Sequence, residues 1–135
     1  MNNLNSILIE GTLTKDAVYR TTAKGTAVST FSIATNRFYK QDTEMEKEVS
    51  FFDVETWAKL AEAVRDKARK GRGVRVIGRL KQDRWIDNEG KNRNKIYIVA
   101  EHVEFRPEFK KNTVAEYQNE ETEFVEAEEN LVATF

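Results

Sequence analysis

The residues with the most to offer chemically run from Gly73 to Ile86, GVRVIGRLKQDRWI. Val74, Val76 and Leu80 alternate with Arg75, Arg79 and Lys81. That is the period of a strand with one apolar face and one basic face. Gly78 interrupts it, and an isolated glycine inside a strand marks a bulge or tight bend. Beyond it the strand carries Arg84 and Trp85 to its far end, beside the turn cluster Asp87-Asn88-Glu89-Gly90. Cations attract a phosphate backbone, and an aromatic face stacks on an unpaired base. The stretch therefore suits single-stranded nucleic acid. Arg75, Arg79, Lys81 and Arg84 read as phosphate contacts, which position a strand without reading its sequence. The plainer reading is a solvated basic face.

Bond-making chemistry finds less support. There is no cysteine, so disulfides, thiolate metal sites and a cysteine nucleophile are excluded. The single histidine, His102, stands beside Glu101 on a strand and reads as structural. Asp53 and Glu55 are two apart on another strand and share a face. Paired carboxylates can hold Mg2+, but no third ligand stands at a recognisable spacing, and cross-strand ion pairing is the better reading. No catalytic residue, metal or cofactor is expected.

The net charge of −1 hides an asymmetry. All 22 Lys and Arg fall at or before Lys111, against 16 of the 23 acidic residues, leaving residues 1–111 at +6 and residues 112–135 at −7. A basic body with an acidic tail suits a polyanion ligand. No apolar run approaches the length of a membrane span.

The elements that must position these residues are mostly strands. Alternation predicts strands over 4–13, 17–23, 28–35, 49–57, 73–86 and 94–105, with Val28, Phe31 and Ile33 in the core. Residues 36–48 are polar and read as a loop or projecting hairpin. Leu60, Ala61, Val64 and Ala68 recur at helical spacing and predict one helix over 58–70, with Gly71 as its C-cap. One helix between the third and fourth long strands is the layout of a mainly β fold, the five-stranded OB-fold barrel. The barrel domain is expected over 1–107 and an acidic, disordered tail over 108–135, with a weak helix at most over 114–127.

Several short segments, in order, resemble bacterial-type single-stranded DNA-binding proteins. They are Asn5 to Leu13 (NSILIEGTL), Gly25-Thr26-Ala27-Val28, Lys59-Leu60-Ala61-Glu62, Gly78-Arg79-Leu80, Arg84-Trp85 and Asn88-Glu89-Gly90. The resemblance covers roughly residues 1–106. It implies base stacking on Tyr39, Phe51, Trp57 and Trp85, with Tyr39 and Phe51 standing where many members carry Trp. The other departures are Ala17 for the usual proline and a tail ending Asn130-Leu131-Val132-Ala133-Thr134-Phe135 in place of Asp-Asp-Ile-Pro-Phe. The resemblance further implies a homotetramer in the cytoplasm (the bacterial nucleoid) that protects single-stranded DNA in replication, recombination and repair. Replication and repair proteins would be recruited through the tail and Phe135. An OB-fold primosome or RNA-binding protein, and an OB module that binds only protein, are the alternatives.

Overall fold

The computed structural model describes residues 1–108. The acidic tail, the weak helix over 114–127 and Phe135 lie outside the described residues. The elements are β1 (Ile7–Leu13), β2 (Val18–Thr21), β3 (Ala27–Gln41), β4 (Glu44–Trp57), α1 (Ala58–Val64), β5 (Gly73–Ile86) and β6 (Asn92–Phe105).

The strands lie in the order β1-β5-β6-β4-β3-β2, and β1 also pairs β3, which closes the sheet on itself. The barrel therefore has five strands, β1, β3, β4, β6 and β5, with β2 hydrogen-bonded outside along β3. Closure removes the exposed strand edges an open sheet would carry. Only β4 and β6 run parallel. The apolar residues of the alternating runs fill the interior. Leu13, Phe31, Ile33, Val54, Val74, Val76 and Ile98 form one buried cluster, joined by Val64 from the helix and Ala68 from the connection after it. The OB-fold expectation holds. The helix follows the fourth strand when β2 is counted, and the third of the five barrel strands when it is not.

The expected helix over 58–70 is shorter, ending at Val64. Tertiary hydrogen bonds take the chain from there. The amide of Ala17 donates to Ala68 O, Gly71 N donates to Leu13 O and Leu13 N to Arg72 O. Residues 65–72 thus serve the end of β1 instead of extending the helix. Gly71, with φ 86°, sits in this connection, while the helix itself is capped at Arg65.

Residues 36–48 are the projecting hairpin. The β3–β4 register runs unbroken from Val28↔Trp57 to Gln41↔Glu44, around Asp42 and Thr43. A second arm is made by the far ends of β5 and β6, from Arg79↔Val99 to Ile86↔Asn92. The bulge expected at Gly78 is there, but the extra residue stands on the partner strand. Ile77 pairs His102 and Gly78 pairs Ala100, leaving Glu101 unmatched. A Cβ on Gly78 would come within 2.2 Å of Val99 O. Glycine is needed there because another backbone passes through the space a side chain would fill.

Candidate nucleic-acid interface

Strand pleating sorts the predicted site residues onto two faces. On β4, Val54 and Thr56 are buried, so Phe51, Asp53, Glu55 and Trp57 point outward. Directly paired residues share a face. The outward row therefore continues on β3 through Ala34, Ser32 and Thr30, and on β2 through Val18 and Arg20. On β6, Ile98 matches Val54 and is buried, so Tyr97, Lys95 and Arg93 also face outward. Their partners on β5 are Lys81, Asp83 and Trp85. One continuous outer surface thus collects Phe51, Trp57 and Trp85 with Arg79, Lys81, Lys95, Arg93 and Arg20.

On the barrel and the second arm three large aromatics of this face are exposed, Phe51 at 67%, Trp85 at 48% and Trp57 at 38%, and Phe38 continues the face along the β3–β4 arm. Such clustering of exposed apolar surface marks a binding site. Phe52, the neighbour of Phe51, points the other way, toward the row of Ile33.

The carboxylates on this face are already committed. Glu55 Oε1 accepts the Trp57 indole N–H at 2.6 Å, which fixes the plane of that ring. Asp53 accepts a hydrogen bond from the Ser32 hydroxyl and pairs with Lys95 Nζ at 3.1 Å. These contacts, the hydroxyl first and the ammonium second, hold the Asp53 carboxyl below its ordinary range. Asp53 is thus engaged in a cross-strand ion pair. Among the described residues no group of three or more His, Asp or Glu could hold a metal ion.

Tyr97 lies at the centre of the face. Its hydroxyl donates to Asp83 Oδ2 at 3.0 Å, and the ammonium groups of Lys81 and Lys95 lie 6.0 and 5.9 Å from its ring centroid. Burial, and then the Asp83 contact, push its phenol pKa up. The ring is a neutral platform that props two cations on the outer surface.

Trp85 is set at the far end of the second arm, opposite Arg93. Asp87 builds that end. Its Oδ1 accepts the amides of Glu89 and Lys91, both at 2.9 Å, and its Oδ2 takes the Arg93 Nε–H at 2.8 Å. The Arg93 guanidinium, and next the Lys91 amide, hold the Asp87 carboxyl low. The charge of Arg93 is thereby held beside the indole. The chain turns into the helix immediately after Trp57, at Ala58, whose φ of 55° is unusual for a residue with a Cβ.

Not every predicted residue falls on this surface. Arg84 lies one pleat away from Trp85, on the other face, and donates to Gln82 Oε1 at 3.2 Å. Tyr39 pairs Glu46 and shares the face of Ile33, opposite to Phe51. Arg75 precedes the bulge, where β1 and β6 flank it. Its guanidinium lies 2.8 Å from Glu10 and 3.9 Å from Glu104, and its side chain is 22% exposed. His102 Nε2 lies 3.0 Å from the same Glu104. Tyr97, Lys95, Arg93 and Arg20 were not singled out by sequence. Only the cross-strand register, which no local pattern contains, brings them beside the aromatics.

A family model described as the single-strand binding protein family matches residues 4–106. The chain is 40% identical over 114 residues to single-stranded DNA-binding protein 2 of Chlorobaculum tepidum, covering 83% of this chain and 77% of that one. It is 42% identical over 125 residues to a single-stranded DNA-binding protein of Aquifex aeolicus, covering 90% and 81%. Among solved structures it is similar to the Plasmodium falciparum SSB complex with ssDNA, at a TM-score of 0.71 and 25% identity, covering 79% of this chain and 98% of that one.

Proposed function

This chain belongs to the single-strand binding protein family, and we propose that it binds single-stranded DNA by laying bases on Phe51, Trp57 and Trp85 while Arg79, Lys81, Arg93 and Arg20 take the phosphates. The observation that carries this reading is the single outer surface on which exposed aromatics alternate with cations. Stacking suits any base because every base has a π-face, and phosphate contacts carry no sequence information. The binding is therefore general rather than sequence-specific. The carboxylates of the same face do not undo it, because Asp53 is paired with Lys95, and Arg20, Arg79, Lys81 and Arg93 outnumber Glu55 and Asp83.

The role is binding and protection of DNA during replication, recombination and repair, without catalysis. The working form is a homotetramer in the cytoplasm. Leu8, Phe52, Leu80 and Ile96 support association, since all four are exposed apolar side chains set apart from the outer aromatic row. Partner proteins would be engaged through the acidic tail and Phe135. No helix among the described residues is long and apolar enough to cross a membrane.

Fluorescence anisotropy with labelled oligo-dT, oligo-rU and a DNA duplex at one salt concentration tests the reading. Oligo-dT binding tighter than both competitors is the expected result. Preference for oligo-rU would move the function to RNA, which presents a 2′-hydroxyl that DNA lacks. No binding to any of the three would leave only the protein-interaction alternative.

A further inference from the structure

The arm formed by β3 and β4 beyond the barrel has two unlike faces. Its register is unbroken from Ala34↔Phe51 through Asn36↔Val49 and Phe38↔Lys47 to Lys40↔Met45. Alternation therefore places Phe38, Lys40 and Lys47 on the same side of the sheet as Phe51. The intervening pairs, Arg37↔Glu48 and Tyr39↔Glu46, lie on the reverse side, as does Gln41↔Glu44. Two contacts agree with this sorting. Arg37 Nη1 lies 3.7 Å from Glu48 Oε2, and its guanidinium lies 5.2 Å from the Tyr39 ring centroid. Arg37, Tyr39 and Glu48 thus form one group on the reverse side.

The charges are segregated accordingly. The outer side of the arm carries two lysines and no carboxylate. The reverse side carries Glu44, Glu46 and Glu48 against a single arginine. A polyanion is attracted to the first side and repelled by the second. Phe38 is 64% exposed on the attractive side. Along the strands it lies about 13 Å from Phe51, taking four residues at about 3.3 Å each. That distance suits another base of the same strand of DNA.

We propose that Phe38, with Lys40 and Lys47 beside it, is a further DNA-binding site that extends the outer surface along the β3–β4 arm, and that Tyr39 does not stack on DNA. This rests on the single-stranded DNA-binding reading above. Phe38 supplies the stacking face and the lysines take the flanking phosphates, while Tyr39 is held on the glutamate side by Arg37.

The test uses the full chain and oligo-dT, with folding of each variant checked by circular dichroism. Phe38→Ala is expected to weaken binding by about 5- to 100-fold, the cost of losing one stacked base. Tyr39→Ala is expected to change it less than about twofold. Lys47→Gln is expected to lower the dependence of log affinity on log salt by about 0.7, and Glu46→Gln to leave it unchanged. With Trp57 and Trp85 both replaced by Phe, the indole of Phe38→Trp should be quenched by oligo-dT and that of Tyr39→Trp should not. If Phe38→Ala binds like the parent, or Tyr39→Ala suffers the larger loss, the inference is overturned and the binding reading survives. If the parent chain fails to bind oligo-dT, both fall.

Discussion

On both sides of Gly78, β5 alternates apolar and basic residues, Val74-Arg75-Val76 before it and Arg79-Leu80-Lys81 after it, yet the two halves sit in different surroundings. Before the bulge the strand has a hydrogen-bonded neighbour on each side, β1 from Ile7 to Thr12 and β6. Val74 and Val76 are buried there, and Arg75 lies between Glu10 on one neighbour and Glu104 on the other. After the bulge the ladder with β1 has ended and only β6 continues. Residues 79–86 are all exposed, and Lys81 and Trp85 face outward with Tyr97 and Arg93. The same residue type is structural in one half and available to a ligand in the other. What decides is the number of flanking strands and the charges they present, not the local sequence.

Gly78 is the boundary between the halves, and replacing it is the strongest way to break the comparison. In Gly78→Ala the new methyl collides with the β6 backbone at Val99. Overpacking against rigid backbone should cost about 3 kcal/mol, read as a lower midpoint in denaturant unfolding. A variant as stable as the parent would mean that the two strands do not approach so closely.

Loss of a base platform comes next. Trp85→Ala should weaken oligo-dT binding by about 1–3 kcal/mol, and leave the unfolding midpoint nearly unchanged because the ring is half exposed. A large loss of stability with intact binding would make Trp85 a packing residue.

The third contrast sets two cations of β5 against each other. Lys81→Ala should reduce the salt slope of binding by about 0.7, one phosphate's share. Arg75→Ala should leave the slope alone and lower stability by less than about 1 kcal/mol, the range of a partly exposed ion pair. Equal slopes in both variants would erase the distinction between the halves.

The smallest effect concerns acid. The Asp53 carboxyl is held low by the Ser32 hydroxyl and then by Lys95. A depressed folded-state pKa stabilises the fold above the unfolded value of about 4, and that contribution is lost as pH falls through the folded value. As pH falls below about 4, Asp53→Asn should therefore lose less stability than the parent. With both partners about half exposed, the difference is small, and identical acid limbs would show that the pairing adds nothing to stability.

Much of this architecture was legible in residue order. Alternation located the strands, and Gly78 announced a disturbance in register. Phe51 and Phe52, as strand neighbours, had to point to opposite faces. Other features required long-range pairing. The partners of Arg75, Glu10 and Glu104, come from the first and last strands. Tyr39 and Phe38 are adjacent in a polar run, and a slip of one residue in the hairpin register would exchange their faces. The placing of Arg84 opposite Trp85 is set by the same pleat. The helix ended early because backbone groups of residues 68–72 are taken by Leu13 and Ala17, a competition that helical periodicity does not report.

The central claim is that DNA lies on the outer surface with its bases against the indoles at both ends of it. Trp57 and Trp85 are the only tryptophans, so each can be watched alone in a variant where the other is replaced by Phe. Titration of the two single-tryptophan variants with oligo-dT, followed by fluorescence, should show strong quenching in both, saturating at one stoichiometry and weakening as salt rises. Oligo-dT bound with neither indole quenched would place the DNA elsewhere on the protein and contradict the account.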